Sequence, residues 1–149
     1  MANSAALSTR SQSMPQAPAI AGPLVLLSRL FFVAIFLMAG PKHFASQTIA
    51  YAASQGVPMA SIAVPFSGVL AILGGLSILL GYRARIGAWL IVLFLVGVTP
   101  MMHKFWIVTD PMMHQMQMVM FMKNVAMLGA ALFITQVGSG QWSLDTRKR

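Results

Sequence analysis

Cysteine is absent from this chain of 149 residues, and so is glutamate; its only acidic side chains are Asp110 and Asp145. Without cysteine there is no disulfide, no thiolate-ligated iron–sulfur cluster and no Cys-pair redox chemistry within the chain. Charge of either sign is scarce, at 8% of residues against 58% hydrophobic, a balance that excludes an ordinary soluble domain and describes an integral membrane protein. No internal repeat of 20 to 50 residues is present.

What the chain has instead is four apolar stretches, Leu24 to Gly40, Ile62 to Leu80, Ile86 to Met102 and Met116 to Thr135. Each approaches the roughly 20 residues needed to cross a bilayer. In lipid each must satisfy its own backbone, so the chain is expected to be all-α, with helices over residues 23–137. Residues 1–22, rich in Ser, Ala, Gln and Pro, read as a disordered cytoplasmic tail, and 138–149 as a basic one.

A net charge of +8 in a soluble protein would point to nucleic acid, but here its placement reports topology. Arg10, Arg29, Arg83, Arg85, Arg147, Lys148 and Arg149 fall on the side shared by the termini and the middle loop; Lys42 and Lys104 fall on the other. The positive-inside rule then makes both termini cytoplasmic, in a multi-pass protein of a bacterial or archaeal inner membrane. The expected partner is the lipid bilayer, not nucleic acid. Arg29, near the inner end of the first helix, is expected to snorkel to phosphates.

Local signals fix several ends. Pro65 is expected to open the second helix, Gly81 to close it, and Asp110-Pro111 to cap the fourth; Pro100 falls in the last turn of the third. Ser67, Ala71 and Gly75, with Gly68 and Gly74 beside them, form a small-residue seam that invites close backbone approach. Ala126 and Ala130, with Gly129, repeat it more weakly, for packing within the chain or for a homodimer. Lys123 interrupts the fourth stretch about 10 Å inside its apolar boundary at Met116, a depth at which a cation is costly and needs a partner.

Several of these pieces together resemble the DoxX family of small four-helix membrane proteins. They are Arg29-Leu30 with Phe36 to Gly40 and Lys42; Gly56-Val57-Pro58; Gly74-Gly75-Leu76 through Leu80-Gly81; His103 with Phe105-Trp106; and Phe121-Met122-Lys123-Asn124 through Gly129. The resemblance implies an integral membrane antiparallel four-helix bundle and a link to respiratory redox chemistry, since the family is named for a subunit of a quinone-linked sulfur oxidoreductase. Many relatives carry a glutamate at the position of Ala71, level with Lys123, where the two could pair; alanine here removes that pair and leaves Lys123 to Asn124, Ser67, Ser77, Thr99, carbonyls or a ligand.

The candidate functional residues gather at the outward ends of the helices. His43, His103 and His114 lie there with Lys42, Lys104, Trp106 and Asp110, a set able to hold a quinone head group and pass its protons, or simply to anchor the interface. Lys123 and Asn124 are the candidates in the membrane core. Among thirteen methionines, Met101, Met102 and His103, with Met112, Met113 and His114, form a soft set suited to Cu(I). The reading expected to lead is a subunit or accessory module of a quinone-linked respiratory or detoxifying redox system, with redox partner proteins. The alternatives are a non-catalytic scaffold or anchor, and a copper-binding membrane protein.

Overall fold

The protein is described from a computed structural model over residues 21–148. Five α-helices occur in it: α1 (Ala21–Ala39), α2 (Ser46–Ser54), α3 (Ala60–Leu80), α4 (Ala84–Met102) and α5 (Pro111–Val137). Four of them, α1, α3, α4 and α5, are long and apolar enough to cross a membrane, and no strand is present among the described residues. The expected cytoplasmic tail lies in residues 1–20, outside this range, except that Ala21 and Gly22 already belong to α1.

The spanning helices pack in the order α1 on α3, α3 on α4, α4 on α5. The core between them holds Val33, Phe36, Leu70, Ala71, Ile78, Ala88, Ile91, Leu95 and Ala131, all buried. The small-residue seam of α3 does what its composition implies, with each glycine meeting a different neighbour. A Cβ at Gly68 would lie 2.9 Å from the Gly40 carbonyl oxygen, one at Gly74 2.8 Å from that of Gly87, and one at Gly75 2.9 Å from Leu37. Gly87, which the sequence did not single out, completes the α3–α4 crossing, since its own Cβ would lie 2.9 Å from the Gly74 carbonyl oxygen.

Two local expectations are corrected, and one further element is found. Pro65 lies inside α3, which begins at Ala60 after Met59 takes a left-handed conformation (φ 47), so the Ser61 carbonyl loses its helical N–H partner. The first outward loop holds the further helix α2, whose Ala52 packs with Ala60 and Val64 of α3. Arg29 does not snorkel: it is 5% exposed, and its Nη2 donates to the carbonyls of Trp142 and, at 3.4 Å, Gln141. The residues after α5 thus return to the base of α1, and Leu144 and Asp145 donate backbone N–H bonds to Leu80 and Gly81 at 3.2 and 3.0 Å.

The expected caps form. Gly81 ends α3 at φ 64, and Asp110 Oδ1 accepts the Met113 N–H at 2.8 Å to start α5. Pro100 lies in the last turns of α4. On α5 the small residues do not pack against the described residues: Ala126, Gly129 and Ala130 are exposed, and a Cβ at Gly129 would meet none of those residues within 4 Å.

Candidate functional site

The site begins where α1 ends. Gly40-Pro41 tightens the last turn of α1 into a 3-10 helix over Gly40–Phe44, and the glycines at 40 and 68 let this turn press against α3. His43 is thereby carried inward, its ring edge-on to Phe94 of α4 at 5.6 Å. His43 Nδ1 lies 3.1 Å from the Ala39 carbonyl oxygen, and a carbonyl only accepts, so the proton sits on Nδ1 and Nε2 is left as the acceptor.

Around that imidazole is a pocket of about 360 Å³ between α2, α3 and α4. Its walls are mainly apolar: Val64, Phe66 and Leu70 from α3, with Phe94, Val98 and Met102 from α4. Polar groups are few: His43, the Thr48 hydroxyl, and Ser67, whose Oγ already donates to the Val64 carbonyl at 2.7 Å. Phe66 and Leu93, each 57% exposed, stand on its lipid side, and Gly97 opens on it with no atom within 4 Å of a would-be Cβ. A helical lid, apolar walls and a few placed polar groups are the usual make-up of a small-molecule site.

Of the remaining candidates at this end, the two histidines, the lysines, Trp106 and Asp110 do not line the pocket. His103 Nδ1 pairs with Gln117 Oε1 of α5 at 2.9 Å, and His114 stands edge-on to Phe105 at 5.7 Å. Phe105 and Trp106 both pack against Phe121, making an aromatic cluster between the 3-10 turn Phe105–Ile107 and α5. Lys104 Nζ donates to the Gln55 carbonyl at 2.7 Å, tying the α4–α5 loop to the end of α2. Asp110 is the α5 cap, and Lys42 is exposed. Of the soft set, Met101 and Met102 line the pocket while Met112 and Met113 are exposed at the start of α5. No group of three or more His, Asp or Glu side chains able to hold a metal occurs among the described residues.

Lys123 and Asn124 part company across α5. Asn124 is 7% exposed on the side facing α4, whereas Lys123 is exposed and among the described residues donates only to Met120 Sδ, at 3.3 Å. Ala71 is fully buried in α3, and α5 packs on α4, so position 71 does not face Lys123 as the depth argument implied. Thr48, Phe94 and Gly97 were missed as site residues. The signal for the first lay in the helix-forming run Ser46 to Ser54, with Ile49 and Ala52 three apart; the others look like any lipid-facing or core position in an apolar helix.

Four spanning helices, the short α2 over one end and a small-residue α3 at the centre define a multi-pass integral membrane protein. The DoxX family model matches residues 24–104, and the chain belongs to that family. It is 33% identical over 126 residues to the inner membrane protein YphA of Escherichia coli strain K12, covering 83% of this chain and 89% of that protein. No solved structure matches the chain. Every residue lining the pocket falls within the matched stretch, and Lys123 falls outside it.

Proposed function

We propose that the chain is a membrane-embedded module of a quinone-linked redox system and that the pocket beneath α2 receives the quinone ring. The pocket with His43 at its wall carries this reading. A quinone is a flat apolar ring with an oxygen at each end, and it reaches its sites from the lipid. A cavity of about 360 Å³, bordered by Phe66 and Leu93 on the lipid side, has the size and the approach for such a ring. With its proton on Nδ1, His43 can accept from a quinol hydroxyl through Nε2; as imidazolium it can donate to a quinone carbonyl. The chain has no thiol, and the electrons would enter or leave through a partner protein. Location in the inner membrane follows the YphA relative.

Titration of the detergent-purified protein with a short-chain ubiquinone analogue, read by quenching of its tryptophans, tests the reading. Saturable binding is expected. His43→Leu should weaken it about tenfold through the lost hydrogen bond. Gly97→Leu, which projects into open space, should abolish it without lowering the melting temperature. Absence of saturable binding, or binding unchanged in Gly97→Leu, would leave the scaffold reading in its place.

A further inference from the structure

We infer that the exposed face of α5 is a docking surface for a membrane helix of a different protein, one that carries an aspartate or glutamate at the depth of Lys123. The inference is independent of the pocket, which α5 does not line. Of the four spanning helices α5 is the least covered: 17% of its apolar window is buried, against 39% for α3 and for α4. Along its uncovered side Val119, Lys123, Ala126, Ala130, Phe133 and Val137 recur at alternating steps of four and three, and all are exposed. That period keeps one stripe facing a neighbouring helix for its whole length. At the stripe's centre Ala126 and Ala130 leave a shallow place where another backbone can come close.

Lys123 decides what the occupant is. It lies about 10 Å inside the apolar boundary at Met116 and about 18 Å inside that at Thr135, and its stem of roughly 6 Å falls short of the nearer one. It therefore does not reach the headgroups. Its only polar contact among the described residues, the Met120 thioether, is a weak acceptor for an ammonium group. A second copy of this chain cannot supply a counter-ion. The chain has no glutamate, Asp110 starts α5, and Asp145 follows its end. A copy inserted in the same orientation along this stripe would bring a second lysine to the same depth. A carboxylate from another chain satisfies the ammonium, and the adjacent alanines admit the helix that bears it.

The test uses the full-length chain in its native membranes, with a photoreactive side chain at position 119 or 130 and, as a control, at Phe31 on the exposed side of α1. The expected result is cross-linking from α5, and not from position 31, to a polypeptide whose membrane segment holds an Asp or Glu. Lys123→Met should reduce that cross-link at least about tenfold, the equivalent of about 1.4 kcal/mol, and Lys123→Arg should retain it. Because Lys123 packs against nothing in the core, an unchanged melting temperature of the Met variant shows that the fold is intact. Cross-links to lipid alone or to a second copy, a partner segment without a carboxylate, or a cross-link unchanged in Lys123→Met would each overturn the inference.

Discussion

Arg29 is a cation held by backbone. Its Nη2 bonds to two carbonyls of the segment after α5, while Nε and Nη1 have no partner among the described residues. The guanidinium therefore clasps the returning C-terminal segment to α1 at the cost of two buried nitrogens left without acceptors among the described residues. Hydrogen bonds to charged groups contribute about 1.5–3 kcal/mol, so cutting this clasp should free the segment more than it harms the helices. Arg29→Met, similar in length and without the orphaned donors, should keep the melting temperature in detergent within a few degrees. Proteolytic cleavage between Gly138 and Thr146 should become about tenfold faster; an unchanged cleavage rate would mean that the Leu144 and Asp145 backbone bonds suffice. The sequence could not reveal this role. It placed Arg29 at the correct end of the molecule, but its partners lie more than 100 positions away, and no local pattern separates an arginine reaching phosphate from one reaching a carbonyl. The same holds for Lys123, whose depth was legible and whose outward direction was not. A nearly uniform apolar helix does not announce which side its neighbour takes.

At the scale of elements, two glycines in similar apolar helices have opposite meanings. Gly74 sits where α3 crosses α4, with the Gly87 carbonyl oxygen 2.8 Å from its would-be Cβ, whereas Gly129 faces open space. Gly74→Ala must push the two backbones apart and should destabilise the detergent-solubilised protein by about 1–3 kcal/mol. Gly129→Ala adds a methyl without a clash in a helix interior and should be neutral or stabilise by up to about 1 kcal/mol. Equal melting temperatures for the two variants would show that the α3–α4 crossing is looser than its geometry implies. The α3 seam was readable because small residues four apart have few uses in a spanning helix other than close approach. The seam on α5 looks similar in sequence and is left open, since composition records the capacity to pack and not the occupant. Helix α2 is not legible for a different reason: at nine residues it is far shorter than a spanning stretch, and it gains its stability from Val64 and Ala60 beneath it.

For the whole molecule, the two ends differ in charge. Arg29, Arg83, Arg85 and Arg147 lie at the end formed by the α3–α4 turn and the returning C-terminal segment; Lys42 and Lys104 lie at the α2 end, the half of the molecule that holds the pocket. If the arginine end faces the cytoplasm, the pocket opens in the outer half of the membrane, and under the proposed function protons from a quinol bound there would leave on the outer side. The complete lack of cysteine makes this orientation directly measurable, because any single introduced thiol is the only one in the chain. Gln47 and Gln141 are both exposed, one on α2 and the other in the returning segment. Gln47→Cys should react with a membrane-impermeant maleimide on intact spheroplasts, and Gln141→Cys only after permeabilisation. The opposite pattern would place the pocket, the His43 imidazole and any protons it exchanges on the cytoplasmic side. It would also require that the paired arginines of the α3–α4 turn had been translocated against the bias that orients short basic loops inward.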